Sequence, residues 1–143
     1  MAPDAFKGTL SANDAAQAIA RAIRDATPDA LVEVLPLADG GDGTVAALAA
    51  AGYEQRAVVT RGPTGVPTVA RVARRGGTAV VEIASACGIA LLGPGQLAPM
   101  TSTSLGLGDA VCAVLDDDPD EIVLGLGGSA STDGGTGLLV ALG

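Results

Sequence analysis

Three segments of the chain combine charged or hydroxyl side chains with glycines, as sites that hold charged ligands often do. The first runs from Pro3 to Thr9 and carries Lys7 just before a predicted helix. An ammonium group beside a helix N-terminus suits a phosphate or a carboxylate, because both the side chain and the helix end favour negative charge. The alternative is a solvated loop lysine.

The second segment, residues 39–44, holds two aspartates among three glycines. Asp39 and Asp42 are three positions apart, so their carboxylates could converge on one metal ion or on one hydroxyl proton. Glycine would let the backbone approach a ligand closely. The alternative is an ordinary turn in which Asp42 or Thr44 caps the helix that follows.

The third segment is a predicted strand, loop and helix at residues 121–142. Its nine-residue loop, Gly127–Gly135, contains four glycines, three hydroxyl side chains and Asp133. We expect backbone N–H groups at the start of the helix to bind an anion. Because a carboxylate repels a phosphate, Asp133 is expected to reach a metal ion or a substrate hydroxyl instead.

Two phosphate-loop patterns can be compared with this third segment. It is not a Walker A loop, because no Gly-Lys-Ser/Thr occurs. A GxGxxG/A pattern beginning at Gly125 is a weak dinucleotide signal. A glycine-lined turn without a ligand is the remaining alternative.

Hydrophobic periodicity and turn residues predict a mixed series of helices and strands that would position these segments. In chain order they predict a helix after Ser11, a strand at residues 31–35, a helix at residues 45–51, strands at residues 53–60, 66–74 and 78–84, a helix at residues 103–115, a strand at residues 121–126 and a helix from about residue 136. Ser11 is expected to cap the first helix. The three middle strands form an antiparallel meander, in which Gly76-Gly77 indicates a hairpin turn and Pro67 indicates an edge strand. Because the strand at residues 121–126 is apolar, we expect it to be buried.

Composition excludes several kinds of site and partner. The 143 residues include 8 basic and 16 acidic side chains, a net charge of −8, so neither a nucleic acid nor an anionic membrane is an expected partner. The absence of histidine excludes Ser-His-Asp, Cys-His and HExxH sites within this sequence. Cys87 and Cys112 are expected to be reduced thiols. Since no leader or membrane-spanning stretch is evident, we expect a cytoplasmic protein.

Four stretches, taken together, resemble the bacterial glycerate kinase family. Residues 2–12, APDAFKGTLSA, resemble the family's opening signature APDSFKGSLSA, and residues 36–44, PLADGGDGT, resemble its PxADGGEGT loop. Residues 80–89, VVEIASACGI, are similar to VIEMAxASGL. Residues 125–143, GLGGSASTDGGTGLLVALG, are similar to IGGSATNDGGAGMLQALG.

The chain also departs from the family pattern. Ala5 replaces the usual serine, Ser131-Thr132 stands where Thr-Asn is common, and residues 104–108 replace the usual SYGTG. Family members are far longer than this chain. It is therefore expected to be the N-terminal part of a member, without the first strand and the C-terminal half.

The resemblance implies a reaction and a fold. The family transfers the γ-phosphoryl group of ATP to a hydroxyl of D-glycerate, with Mg²⁺, so ATP and D-glycerate would be the small-molecule partners. The implied fold is a flavodoxin-like α/β domain into which a second α/β domain is inserted, with only the N-terminal part present. Residues 1–60 would begin the first domain and residues 61–143 would belong to the inserted one. The fragment alone is expected to be inactive.

The resemblance also implies roles for single residues. Lys7 would bind a phosphate or the glycerate carboxylate. Asp39 or Asp42 would accept the substrate hydroxyl proton, and Asp42 or Asp133 would hold Mg²⁺. The substrate or nucleotide would be bound by Gly127, Gly128, Ser129, Thr132, Asp133, Gly134 and Gly135. Glu82 and Arg61 are weaker candidates, because a glutamate on a strand and an arginine beside a turn usually face solvent.

Two other interpretations stay open. Residues 125–130 also resemble the phosphate loop of the galactokinase and mevalonate kinase superfamily, although that family would not explain the segments of Lys7 and Asp39. The chain could instead be a non-catalytic truncated fragment that folds in part or pairs with another polypeptide. The oligomeric state cannot be read from the sequence.

Overall fold

The computed structural model describes residues 2–3, 6 and 9–143, and the chain divides into two compact units, Met1–Asp39 and Gly40–Gly143. Within the described residues there are five α-helices and four strands, so the mixed α/β class is confirmed. Lys7 lies outside the described residues. The domain boundary near residue 60 stays a prediction.

The first unit contains helix α1, Ala12–Ala26, whose start is set by a local signal. The Ser11 hydroxyl accepts a hydrogen bond from the Asp14 backbone N–H at 3.1 Å and donates one to the Asp14 carboxylate at 2.7 Å. The first of these bonds satisfies a backbone donor that the start of a helix leaves unpaired. The predicted helix and its cap are therefore confirmed.

The strand predicted at residues 31–35 is wrong. The sheet lies entirely within the second unit, and residues 31–35 form no strand. A β-strand needs the backbone hydrogen bonds of a neighbouring strand, and the described residues of the first unit contain no strand to supply them. Leu31 is fully exposed, so apolar character alone did not produce the element.

The second unit is built on one sheet with the strand order β1-β2-β3-β4. The strands are β1 Glu54–Arg61, β2 Pro67–Arg75, β3 Thr78–Glu82 and β4 Glu121–Gly125. The first three pair antiparallel, and β4 pairs parallel with β3. The two-residue turn Gly76-Gly77 joins β2 to β3, and Gly76 has a φ of 58°, as such turns favour. The predicted meander is confirmed.

Helices pack on both faces of this sheet. They are α2 Thr44–Ala50, α3 Ile83–Cys87 and α4 Leu105–Leu115, and α5 Thr136–Leu142 packs against α4. A short 3₁₀ turn lies at Ile89–Leu91. Val81 of β3 packs with Leu107 of α4 and with Cys87, whereas the next residue back, Val80, packs with Val45 of α2. β3 is therefore buried on both faces, as strands under two helical layers are. None of the described helices combines the length and apolar character needed to cross a membrane.

Two expectations about the strands are corrected. β2 is an interior strand rather than an edge, since it pairs with both β1 and β3. Pro67 is tolerated because it is the first residue of β2 and lies beyond the stretch that pairs with β3. β4 is not buried: Val123 and Leu124 remain 44% and 37% exposed, because β4 pairs with a neighbour on one side only.

Candidate functional site

The second and third motif segments meet backbone to backbone in the second unit. The Gly127 N–H donates a hydrogen bond to the Gly40 carbonyl oxygen at 3.0 Å. A Cβ on Gly125 would lie 2.7 Å from the Gly40 carbonyl oxygen, and a Cβ on Gly127 would lie 2.7 Å from the Cα of Gly41. Only glycine permits backbones to approach this closely, so the glycines of both motifs serve this contact.

The third motif segment also contacts the residues that follow β3. The Ile89 N–H donates to the Gly128 carbonyl oxygen at 2.9 Å, and the Ala130 N–H donates to the Cys87 carbonyl oxygen at 3.0 Å. Segments that are far apart in the sequence are thereby joined. We call these three segments, residues 40–44, 82–89 and 125–135, the motif cluster.

Glu82 lies at the end of β3, inside the motif cluster, and is only 4% exposed. Its carboxylate accepts a hydrogen bond from the Val45 backbone N–H at 2.8 Å. Burial raises the pKa of Glu82, an effect opposed by this bond and by the backbone N–H groups of Thr44 and Gly43. The expectation that this glutamate faces solvent is therefore wrong. Helix α2 covers the end of β3, and a contact between elements distant in the sequence is not visible in the local pattern.

Asp133 lies before helix α5 and accepts hydrogen bonds from four other residues. The backbone N–H and the hydroxyl of Ser104 each donate to Oδ2 at 2.8 Å. The N–H groups of Gly135 and Gly137 donate at 3.2 Å, and the Ser131 hydroxyl donates at 3.3 Å. Burial acts to raise the pKa of Asp133, but the bonds from Ser104, Gly135 and Gly137 outweigh it and lower the pKa to about 2.

These bonds bear on one expectation about the third segment, an external anion at the N-terminus of α5. The carboxylate of Asp133 accepts from the N–H groups there, and anion binding by the loop stays a prediction. The Thr136 N–H donates to the Asp133 carbonyl oxygen at 3.1 Å, and the Leu138 N–H donates to the Ser104 hydroxyl at 3.0 Å. The first-turn donors of α5 are therefore used within the chain.

The remaining hydroxyl groups of the loop are also turned toward the chain. The Ser129 hydroxyl accepts a hydrogen bond from the Ser131 N–H at 3.1 Å, and the Thr132 hydroxyl donates to the Pro99 carbonyl oxygen at 2.8 Å. The backbones of Gly128 and Gly134 remain exposed. Any ligand of this loop would meet that exposed backbone first.

Of the candidate catalytic residues, Asp42 lies in the second unit, close to the third segment. Asp42 is exposed and belongs to the motif cluster, since a Cβ on Gly128 would lie 3.9 Å from the Asp42 backbone nitrogen. Asp39 is exposed and is the last residue of the first unit. With Lys7 outside the described residues, only the Asp42 side of the predicted constellation can be located relative to the loop.

The two predicted metal ligands, Asp42 and Asp133, differ in how far hydrogen bonds within the chain already engage their carboxylates. Among the described residues, no three His, Cys, Asp or Glu side chains are grouped as a metal site would group them. Mg²⁺ often takes only one or two protein carboxylates and completes its shell with phosphates and water. The exposed carboxylate of Asp42 fits that requirement, whereas the carboxylate of Asp133 is engaged by five hydrogen bonds.

Arg61 is held by a carboxylate rather than left free in solvent. Its guanidinium Nε and its backbone N–H both donate to Asp109 Oδ2 at 2.9 Å. The hydrogen bond from the Arg61 side chain lowers the pKa of Asp109. Because Asp109 lies on α4, this pair ties the end of β1 to α4 and gives Arg61 a structural task.

A cavity of about 190 Å³ lies away from the motif cluster. Its lining includes Arg56, Arg74, Glu54 and Asp117, and none of the predicted site residues. Both arginines already have partners: Arg56 pairs with Asp117 at 2.7 Å, and Arg74 donates to the Asp117 carbonyl oxygen at 3.0 Å. The candidate site is therefore assigned to the motif cluster and not to this cavity.

Ser104 was not among the residues predicted for the site. It is buried, it lies directly before α4, and its hydroxyl joins Asp133 to the first turn of α5. The helix predicted at residues 103–115 included Ser104 and gave its side chain no role. The contact of Ser104 with a residue 29 positions later in the chain had no signal in the sequence.

Comparison with known proteins agrees with these motifs. The model of the glycerate kinase family matches residues 1–143. The chain is 42% identical over 147 aligned positions to the glycerate 2-kinase of Escherichia coli K12, and 43% identical over 147 positions to the glycerate kinase of Bacillus subtilis 168. In both alignments all of this chain is covered.

A solved structure extends the likeness to three dimensions. The crystal structure of a candidate glycerate kinase 2 from Salmonella typhimurium LT2 superimposes with a TM-score of 0.78 at 41% identity, over 99% of this chain and 39% of that one. The chain spans only 38% of the length of the E. coli and B. subtilis relatives. The family model nevertheless extends from the first residue of this chain to the last, and the chain therefore belongs to the glycerate kinase family.

Proposed function

We propose that the protein containing this chain is a glycerate kinase, which transfers the γ-phosphoryl group of ATP to a hydroxyl of D-glycerate. The observation that carries this proposal is the motif cluster, in which stretches similar to three family signatures meet in one unit. Phosphoryl transfer depends on positioning and on neutralising charge more than on covalent catalysis. The name of the E. coli relative, glycerate 2-kinase, favours the hydroxyl on carbon 2.

The proposed roles follow the chemistry of the residues. Asp42 accepts the proton of the substrate hydroxyl or holds Mg²⁺, and Asp39 is the second candidate for the proton. Lys7 binds a phosphate or the glycerate carboxylate. The exposed backbone of the Gly127–Gly135 loop contacts the nucleotide or the substrate. Mg²⁺, when bound, neutralises phosphate charge.

The rest of the proposal concerns the whole protein. We infer a flavodoxin-like α/β domain with a second α/β domain inserted into it, residues 1–60 beginning the first and residues 61–143 belonging to the second. The partners are ATP and D-glycerate, and the location is cytoplasmic. Support comes from the family match.

The decisive variant is Asp42→Asn in a longer protein that contains this chain and its continuation. Loss of a general base or metal ligand should lower kcat about 10²-fold, with the melting temperature nearly unchanged because Asp42 is exposed. ATP- and D-glycerate-dependent turnover is measured in a coupled assay. The matched control is Asp116→Asn, another exposed aspartate, which should keep normal turnover.

Two outcomes would overturn this assignment. Normal turnover after both Asp39→Asn and Asp42→Asn would make the two carboxylates turn residues only. Phosphorylation of a sugar or of mevalonate, without phosphorylation of D-glycerate, would favour the galactokinase and mevalonate kinase superfamily. Product analysis by ³¹P NMR separates the 2-phosphate from the 3-phosphate of glycerate.

A further inference from the structure

Glu82 is a buried carboxylate that forms no ion pair with any described cation. It is 4% exposed, and the ion pairs of the described residues involve Arg56 with Asp117 and Arg61 with Asp109. A buried carboxylate is costly unless hydrogen bonds compensate it. The hydrogen bond that compensates it comes from the Val45 backbone N–H, so the element that contains Val45 indicates what the glutamate does.

Val45 lies in the first turn of α2, which lacks a side-chain cap of its own. The residue before the helix is Gly43, which has no side chain to accept from the first turn. Glu82 accepts from the Val45 N–H at 2.8 Å, while the Thr44 N–H donates to the Gly41 carbonyl oxygen at 3.2 Å. A residue 37 positions away in the chain therefore acts as the missing cap.

This cap holds one end of the loop that carries Asp42. The other end is held by the hydrogen bond from the Gly127 N–H to the Gly40 carbonyl oxygen, at 3.0 Å. Asp42 lies between the two attachments, so the backbone that carries its carboxylate is fixed on both sides. The two attachments come from neighbouring positions in the sheet: Glu82 is the last residue of β3, and Gly127 follows the end of the parallel strand β4.

We propose that Glu82 is a positioning residue, which holds the Gly40–Thr44 loop so that Asp42 keeps the place the phosphoryl-transfer reaction needs. This role rests on the proposed function, because it acts through Asp42. Misplacing a reacting group by about 1 Å can cost about 10²-fold in rate. A carboxylate suits the task because an ionised oxygen accepts a stronger hydrogen bond from a backbone N–H than a neutral oxygen does.

The contact itself is tested by amide hydrogen exchange, measured by NMR on the 143-residue chain. Glu82→Ala should speed exchange at Gly43, Thr44 and Val45 by about tenfold or more, while Glu82→Gln should give intermediate rates because its one oxygen still accepts. The control is Glu121→Gln, an exposed glutamate on the neighbouring strand, which should leave these amides unchanged. Unchanged exchange in both Glu82 variants would overturn the inference.

The catalytic consequence is tested in the longer protein. Glu82→Ala should lower kcat about tenfold or more with KM values for ATP and D-glycerate changed less than about threefold. Glu82→Gln should recover part of kcat, which a general loss of packing would not predict. If the alanine variant does not fold, the glutamine variant decides: lowered kcat with faster exchange at the three amides supports the role, and wild-type kcat overturns it.

The two proposals fail in different ways. If the unaltered longer protein does not phosphorylate D-glycerate, the proposed function is wrong, whatever the exchange rates are. If it does so, and Glu82→Ala leaves kcat within about twofold, the positioning role alone is wrong.

Discussion

Two carboxylates of the motif cluster accept hydrogen bonds from backbone N–H groups, yet their pKa values are shifted in opposite directions. Glu82 is almost fully buried, and burial raises its pKa despite the backbone N–H groups around it. Asp133 is less buried and receives five hydrogen bonds, which bring its pKa to about 2. Hydrogen bonds stabilise an ionised carboxylate effectively when solvent still reaches it in part. Asp133 is thus an anion at every physiological pH.

The low pKa of Asp133 predicts how stability depends on pH. Since the folded-state pKa of about 2 lies below the ordinary value of 3.8, the carboxylate stabilises the fold above pH 4 and loses this effect as the pH falls toward 2. Asp133→Asn should lower the free energy of unfolding at pH 7 by about 1–2 kcal/mol. Urea unfolding at several pH values measures this, with the exposed Asp116→Asn as the control.

The difference between wild type and Asp133→Asn should disappear as the pH approaches 2. An equal difference at pH 7 and pH 2 would mean that the charge of Asp133 does not matter. The effect would then come from the shape of the side chain alone.

The contact between the two glycine loops belongs to the scale of elements. Gly127→Ala would place a Cβ 2.7 Å from the Cα of Gly41, so one backbone must move. We expect the free energy of unfolding to fall by about 1–3 kcal/mol, as in other overpacked contacts. Chemical denaturation measures it, with Gly134→Ala as the control.

Gly134 separates steric contact from backbone strain. Its φ is 62°, but a Cβ there would meet nothing within 4 Å, so alanine should cost only about 1 kcal/mol of strain. A smaller loss at Gly127 than at Gly134 would show that the two loops can separate freely.

Elements with local signals were predictable, and elements that depend on distant partners were not. The Ser11 cap and the Gly76-Gly77 turn lie within a few residues of what they organise, and both predictions are confirmed. The strand at residues 31–35 failed for want of a partner. The burial of Glu82 and the exposure of β4 also depend on which elements come to lie beside them, and composition does not carry that information.

The candidate site divides in the same way. The family motifs identified the loops that meet in the second unit, including Asp42 and the Gly127–Gly135 loop. They did not indicate that Asp133 would occupy the start of α5, nor that Ser104 would join it. The roles of Lys7 and Asp39 stay predictions.

At the scale of the whole molecule, large apolar side chains beyond β4 and on α5 remain exposed. Leu126, Leu139 and Val140 are 62%, 65% and 71% exposed. β4 is an edge strand, so one row of its backbone groups has no strand partner within the described sheet. The chain also spans 38% of the length of its E. coli relative.

We therefore expect the 143-residue chain alone to show no glycerate kinase activity. Its motif cluster contains only the part of the site that lies in 38% of a relative's length. Purified chain is assayed with ATP, Mg²⁺ and D-glycerate beside a longer protein that contains it. Turnover by the chain alone within about tenfold of typical kinase rates, 1–100 s⁻¹, would contradict this expectation.

The Cys87 thiol gives the fold a chemical reporter. It is fully buried against α4, and burial raises its pKa, so an electrophile dissolved in the surrounding water meets neither an accessible sulfur nor a thiolate. The Cys87 thiol can therefore be labelled only when α4 separates from the sheet and exposes it. Because the Cys87 carbonyl oxygen also receives the Ala130 N–H, the same opening would disturb the motif cluster. The rate at which this sulfur is alkylated thus reports the rate at which the motif cluster opens.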